Sequence, residues 1–510
     1  MSFSFTLKAV APLAVGLLTI TSATRAQAPA VTTVRIDAAR PHQTIANFAA
    51  SDAWAGQFVG NWPAAKKEAI ADLLFSQDKG IGLSMWRFNI GAGSAEQGEA
   101  SGIKDEWRRA ESFLTPAGSY DFTRQAGQLW FLKAAQQRGV KQFLGFLNSP
   151  PVSLTATGKA YAKGGETNLP PANYAALGTY CAKVVQGVKQ ATGITFDYLS
   201  PINEPQWDWS DGGQEGSPFR NPEIAGVAKA TSAALAAQHL PTKVLVTEAG
   251  KLDYLYATAD KPGRGDQLAA FFGDKAAPTY IGGTPQVAPI IAGHSYFTTS
   301  PAATAIATRR QLAARVAALK GISYWQSEYC ILGDNAGEIN GGPRDLGMKP
   351  ALYLAKVVHY DLAVGNAAAW QWWLAISPYD YKDGLVYIDK NKTDGTYQPS
   401  KMLWALGNYS RYLRPGAVRL DAQLADSART GQPLVSAYKS PNGKQLITVV
   451  VNDYDTPATV QLALSGGRLG AGKFYVTSAT ADLQPGAPVP AGQPLQVAPR
   501  SIVTLVSELR

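Results

Sequence analysis

One feature restricts the fold more than any other: a beat that repeats through most of the chain. A short apolar run is followed by a loop, then by an amphipathic helical stretch. The runs are Thr44–Ala50, Leu83–Ile90, Val140–Leu147, Phe196–Ile202, Lys243–Glu248, Pro289–His294, Ile322–Glu328 and Ala367–Leu374. Between them, Pro63 opens one helix, with Ile70, Leu73 and Leu74 at i, i+3, i+4 spacing. Another is predicted over Thr123–Arg138, stopped by Gly139. A third is predicted over Pro301–Lys320, with Ile306, Leu312, Val316 and Leu319 inward. Strand and helix alternating in this way fit an α/β fold, a (β/α)8 barrel. A doubly wound open sheet is the alternative, but no Gly-rich dinucleotide fingerprint follows the first strand.

The texture changes after about residue 416. Leu434–Tyr438, Lys444–Val451, Thr459–Leu464, Lys473–Thr477 and Ser501–Val506 are short β patterns separated by Gly/Pro-rich turns. They predict an antiparallel β-sandwich over residues 411–510. Val31–Ile36 is also strand-like. Residues 29–40 are therefore assigned to the sandwich and 41–410 to the barrel. Ahead of them, residues 1–28 read as a secretory signal peptide: Lys8, an apolar run from Ala9 to Ile20, then Ala26-Gln27-Ala28. The run is too short to span a bilayer comfortably. A secreted or periplasmic monomer without membrane insertion is expected.

Composition excludes several function classes. Two cysteines rule out a disulfide scaffold and a Cys-rich zinc site. Cys181 within a helix and Cys330 at a strand end are read as free thiols. Four isolated histidines make a His-built metal site improbable. The net charge of +9 is spread without a basic block, so no nucleic-acid partner is expected.

In a (β/α)8 barrel, chemistry sits at the C-terminal ends of the strands. The fourth ends Ser200-Pro201-Ile202-Asn203-Glu204-Pro205, and the seventh ends Tyr324-Trp325-Gln326-Ser327-Glu328. These strands oppose each other across the ring, so Glu204 and Glu328 can converge. Two facing carboxylates are the machinery of glycoside hydrolysis. Either glutamate alone reads equally well as a solvated strand-end acid.

Asn-Glu-Pro at the fourth strand with Glu at the seventh resembles the clan A glycoside hydrolases. Phe146-Leu147-Asn148-Ser149-Pro150-Pro151, His294-Ser295-Tyr296 and SKMLWALGNYSRYLRPG at Ser400–Gly416 narrow the resemblance to glycoside hydrolase family 30. It implies Glu204 as acid/base and Glu328 as nucleophile of a retaining mechanism, with carboxyl groups roughly 5–5.5 Å apart. It implies Asn203 on the sugar 2-hydroxyl, Arg87 beside the nucleophile, and Tyr296, paired with His294, donating to the nucleophile. Arg87 as a structural ion pair and His294 as a satisfied core histidine remain alternatives. Asn148, Trp54, Trp207 and Asp52 are further substrate-binding candidates, Asp52 being equally readable as a turn cap. Of Trp370, Trp372 and Trp373, Trp372 is expected to floor the sugar subsite. Pro151, and the run Asn89–Ser94, depart from the family at positions that touch sugar hydroxyls in relatives.

The segments Phe48–Trp54, Gln206–Trp209 and Ser323–Cys330 resemble the endo-β-1,6-galactanase branch. That implies hydrolysis of β-1,6-galactan side chains of arabinogalactan. A β-1,6-glucanase, a glucuronoxylan-directed enzyme or a β-glycosidase is the alternative, and a non-catalytic carbohydrate-binding protein a third. The expected partner is a polysaccharide or oligosaccharide. No cofactor and no metal are expected, because protein acids suffice for this chemistry. The acidic loops Asp334–Glu338 and Asp380–Asp383 do not fit a calcium cage.

Overall fold

The computed structural model describes residues 31–510 together with Met1, Ser2 and Ser4. Apart from those three residues, the expected leader lies outside the described residues. Strand β1, Val31–Thr44, precedes the barrel. The barrel strands are β2 Asn47–Ser51, β3 Met85–Asn89, β4 Gln142–Phe146, β5 Tyr198–Ser200, β6 Lys243–Ala249, β7 Val287–His294, β8 Ser323–Glu328 and β9 Ala369–Ser377. They pair in chain order and in parallel, and β9 closes the ring against β2 and β8. Each overlaps its expected run. The open-sheet alternative falls with that closure.

Side-chain direction follows the period of two along each strand. On β3, Trp86 turns outward onto Phe75 and Phe131 of the surrounding helices. Arg87 turns inward and ends at the barrel mouth. The helix Ala64–Phe75 follows Pro63 as expected and buries Ile70 and Leu74. The helix Ala302–Ala317 departs from expectation. Its inward face is Ala305, Arg309 and Leu312, with Ile306 only half-buried. Arg309 is buried because Asp361 accepts from its Nε at 2.7 Å, which compensates the charge.

β9 continues past β8, and its second half pairs with β10, Gly384–Ile388, which is followed by β11, Tyr397–Pro399. This two-stranded flap sits beside the barrel mouth and was not foreseen. The second domain contains β12 Val418–Leu424, β13 Leu434–Lys439, β14 Gln445–Asn452, β15 Ala458–Ser465, β16 Leu469–Thr477, β17 Gln484–Pro485, β18 Leu495–Val497 and β19 Ser501–Leu509. With β1 they form one continuous nine-stranded sheet. Every pair is antiparallel except β1–β15, where the N-terminal strand runs parallel to its neighbour. The sheet curls so that β18 packs near β19, enclosing Val34, Leu420, Val450, Val460 and Val503.

The barrel core runs on into this domain through Tyr438, Ile447, Val449 and Ile502. The helix Lys401–Ser410 joins the two, capped by the Ser400 hydroxyl, which accepts from the Leu403 amide. Thr504 donates to the Asn408 carbonyl at 2.6 Å across the junction. The domains therefore share one packed interior. Cys181 and Cys330 are both buried free thiols.

Candidate active site

The mouth of the barrel collects three carboxylates and two cations. β5 leads to Asn203 and Glu204, β6 to Glu248, β7 to His294 and β8 to Glu328, while β3 delivers Arg87. All are buried. Glu204 and Glu248 both hold positive φ, 43° and 54°, and the Glu204 amide donates to the Glu248 carbonyl at 2.8 Å. The bend at each strand end turns the side chain into the mouth. Strain of this kind gathers at functional sites.

Arg87 donates through Nη1 to Glu328 Oε2 and through Nη2 to Asn203 Oδ1 at 3.4 Å. Its guanidinium lies 3.8 Å over the Phe146 ring. The guanidinium so placed fixes the orientation of the Glu328 carboxylate. The Tyr296 hydroxyl donates to the other oxygen of Glu328 at 3.0 Å. His294 contacts Glu204 Oε1 through Nδ1 at 2.9 Å and Glu248 Oε2 through Nε2 at 3.2 Å. Burial would drive the imidazole toward neutrality, but Glu328, Glu204 and Glu248 outweigh it and raise its pKa to about 9. Burial raises the Glu204 pKa, against the pull of His294 and with support from Glu328. Glu204, its pKa raised by burial, thus stands beside a carboxylate paired with a fixed cation, so the two glutamates occupy different environments.

Glu204, His294 and Glu328 each place one ligand-type atom within 4.8 Å of the others. The spacing suits a metal ion, but both His294 nitrogens already face carboxylates and Arg87 stands against Glu328. The same spacing brings an oxygen of Glu204 within 4.8 Å of one of Glu328. Inverting pairs stand roughly 6.5–9.5 Å apart.

These groups open into a cleft of about 900 Å³. Of the expected site residues, Trp54, Asn203, Glu204, Trp207, Tyr296 and Glu328 line it. Arg87 and His294 lie just behind its wall, against Glu328 and Glu204, and Asn148 is not among the lining residues. Asn148 is buried, with Oδ1 unpartnered. Two expectations are corrected. Trp372 does not floor the cleft: it is fully buried, and its indole N–H donates to the Asp383 carbonyl at 2.7 Å on the outer face of β9. The alternation along β9 turns Trp373 inward instead, edge-on to Trp54 at 5.2 Å between ring centroids. Asp52 does not line the cleft either: its Oδ1 accepts from the Asn89 amide at 2.8 Å and Gln128 Nε2 at 3.0 Å, bracing the loop after β2. Burial raises its pKa to about 7.

Other lining groups were not singled out beforehand. Arg108 lies 4.6 Å over the Trp54 ring, and Tyr254 and Phe297 contact Trp207 edge-on. Glu248 closed an expected strand, yet nothing in the sequence pairs it with His294. A family model described as O-glycosyl hydrolase family 30 matches residues 31–387. The chain belongs to glycoside hydrolase family 30.

A solved structure of a conserved exported protein from Bacteroides fragilis is 31% identical, with a TM-score of 0.85, covering 93% of this chain and all of that one. The catalytic domain of the family 30 xylanase C from Talaromyces cellulolyticus is 20% identical, with a TM-score of 0.68 over 93% of this chain and 99% of that one. Glucuronoxylanase XynC of Bacillus subtilis (strain 168) is 29% identical over 136 residues. That match spans 27% of this chain and 28% of the relative's length. Among the described residues no helix is long and apolar enough to cross a membrane.

Proposed function

We propose that this family 30 protein is a retaining endo-β-glycanase, with Glu204 as acid/base and Glu328 as nucleophile. The observation that carries the reading is the approach of these two carboxylates within 4.8 Å at the base of an aromatic-walled cleft. Glu328 attacks the anomeric carbon while Glu204 protonates the leaving oxygen. Water, deprotonated by Glu204, then releases the sugar from Glu328. Asn203, held at Oδ1 by Arg87, has its amide N–H groups left for a sugar hydroxyl. Trp54, Trp207 and Trp373 offer ring faces and edges to the apolar side of sugars.

The cleft is large and continues sideways. A groove of about 440 Å³ shares Tyr379 and Asp380 with it. An extended surface suits a chain gripped on both sides of the cut, and so endo action. The first substrate is β-1,6-galactan, on the resemblance of Phe48–Trp54, Gln206–Trp209 and Ser323–Cys330 to the galactanase branch. The stretch shared with the glucuronoxylanase favours glucuronoxylan as the second reading. The signal-peptide pattern in residues 1–28 supports export.

A product profile tests this. The protein is incubated with de-arabinosylated arabinogalactan, β-1,6-glucan and glucuronoxylan, and released sugars are separated. A ladder of galactooligosaccharides from the first alone is expected. Products from xylan alone would transfer the assignment to the second reading. Galactose alone would overturn endo action.

A further inference from the structure

A double displacement employs two carboxylates, yet three converge here. Glu248 has no part in the reaction as written and is the most tightly held of them. Ser200 Oγ donates to its Oε1 at 2.6 Å and Ser327 Oγ to its Oε2 at 2.5 Å. His294 Nε2 stands 3.2 Å and Arg87 Nη2 3.6 Å from Oε2. No part of the side chain reaches solvent. It touches both cations of the site and lies outside the cleft lining.

We propose that Glu248 is a positioning residue, the fixed counter-anion that keeps His294 doubly protonated and thereby sets which oxygen of Glu204 carries the acidic proton. The inference rests on reading Glu204 as the acid/base. An imidazolium can only donate. Its Nδ1–H fills Glu204 Oε1, so the proton of the acid sits on Oε2, the oxygen left to serve the leaving group. A neutral imidazole with a bare Nδ1 would instead accept that proton through Oε1 and hold it back.

The charge count supports the role. Before attack, Arg87 and His294 are balanced by Glu248 and Glu328, with Glu204 neutral. In the first step a Glu328 oxygen bonds the anomeric carbon, the bond to the leaving oxygen breaks, and the Glu204 proton goes to that oxygen. Glu328 becomes a neutral ester and Glu204 an anion. In the second step water gives its proton to Glu204, its oxygen bonds the anomeric carbon, and the ester opens. The site holds two cations and two anions at every stage, and one negative charge moves between Glu328 and Glu204. Glu248 is the anion that stays.

The groups facing His294 are Glu204, Glu248, Glu328 at 3.7 Å, and Tyr296 with ring centroids 5.7 Å apart. The Tyr296 hydroxyl is committed to Glu328. Burial alone would raise the Glu248 pKa, but Arg87, His294 and Ser200 draw it down to about 2, so it is charged at neutral pH.

Two measurements test the proposal. The chain has four histidines, so ¹⁵N-histidine labelling gives a sparse spectrum. The signal absent from His294→Gln should be an imidazolium, protonated on both nitrogens, up to about pH 8 in the unmodified protein. A neutral ring there at pH 7 would overturn the proposal, with no folded Glu248 variant and no known substrate required. The second measurement is the pH profile of kcat/KM for Glu248→Gln and Glu248→Asp. Substrates are the polymer cleaved in the product profile and a 2,4-dinitrophenyl glycoside of the same sugar, whose leaving group needs no acid. Glu248→Gln should move the basic limb on the polymer, set by loss of the His294 proton, about two units lower, and so lose about tenfold near pH 8. It should lose less than about fivefold on the aryl glycoside. Glu248→Asp should restore most of the limb. Equal losses on both substrates, or an unmoved limb, would reduce Glu248 to a structural brace. If no glycan is cleaved, the function assigned to Glu204 fails while the histidine spectrum still decides the pairing.

Discussion

Single residues separate binding from bracing. Trp373 lines the cleft, whereas Trp372 one position earlier anchors β9 through the Asp383 carbonyl. Trp373→Phe should therefore lower kcat/KM about fivefold, since an aromatic contact contributes about 1 kcal/mol beyond its area, while the ring that remains keeps the packing against Trp54 and Phe146 and holds the change in melting temperature small. Trp372→Phe should do the reverse, costing about 1 kcal/mol of stability for one lost buried hydrogen bond. Steady-state kinetics and thermal melting on both variants check the pair; exchanged phenotypes would place the sugar on the other face of β9. Asp52 gives a second contrast. Burial raises its pKa from 3.8 to about 7 in the folded protein. Between those values the folded state holds a proton that the unfolded chain has released. Its contribution is intact below about pH 4 and is lost as pH rises through about 7. Asp52→Asn, which cannot titrate, should remove part of the melting-temperature decline between pH 5 and pH 8, roughly 2–4 °C. A slope identical in the two proteins would mean that Asp52 is already ionised at pH 5.

The elements explain what could be read in advance. Eight strands were legible because each is an apolar run with a helix behind it, and the strand-end rule then led to Glu204 and Glu328. β10 and β11 were missed because no helix separates them from β9 and β11 is only three residues long. Arg309 was missed because its partner Asp361 is 52 positions away, and a helical pattern expects an apolar residue there. Glu248 was visible as a strand end, but its pairing depends on β3, β5, β7 and β8 meeting, which no local pattern reveals. The choice of Trp372 over Trp373 failed at the same level: alternation separates the faces without naming the inner one. Backbone contacts also set the site at this scale. The loop after β2, which carries Trp54, is pinned where Gly60 meets Gly127 of the helix Ala126–Gln137; a Cβ on Gly127 would stand 2.3 Å from the Gln57 carbonyl oxygen. Backbone cannot yield as a side-chain tip can. Gly127→Ala should cost about 3 kcal/mol and raise KM through Trp54. Denaturant unfolding and kinetics measure both, and a neutral substitution would mean that the crossing is looser than described.

Across the whole molecule, the cleft and its neighbouring groove form one surface because the barrel is extended by β10 and β11. β10 runs parallel to β9, so its C-terminal end lies on the catalytic side, and β11 returns antiparallel with Tyr397 opposite Ile388. Tyr387 and Tyr397 line the groove, with Arg344 lying 5.4 Å over the Tyr387 ring. Aromatic rings beside polar side chains suit a sugar chain, but nothing in the groove reaches the reacting carbon. Its contacts must then be equal in the ground state and the transition state, so they act on KM and leave kcat alone. Tyr397→Ala should lower kcat/KM on the polymer about fivefold, the equivalent of about 1 kcal/mol of aromatic contact, entirely through KM. On an oligosaccharide too short to leave the cleft, the same variant should lose much less. The ratio of polymer to oligosaccharide kcat/KM is therefore the decisive readout. A ratio that falls makes the flap part of the substrate path. A ratio that holds would confine recognition to the cleft and leave β10 and β11 as a structural rim.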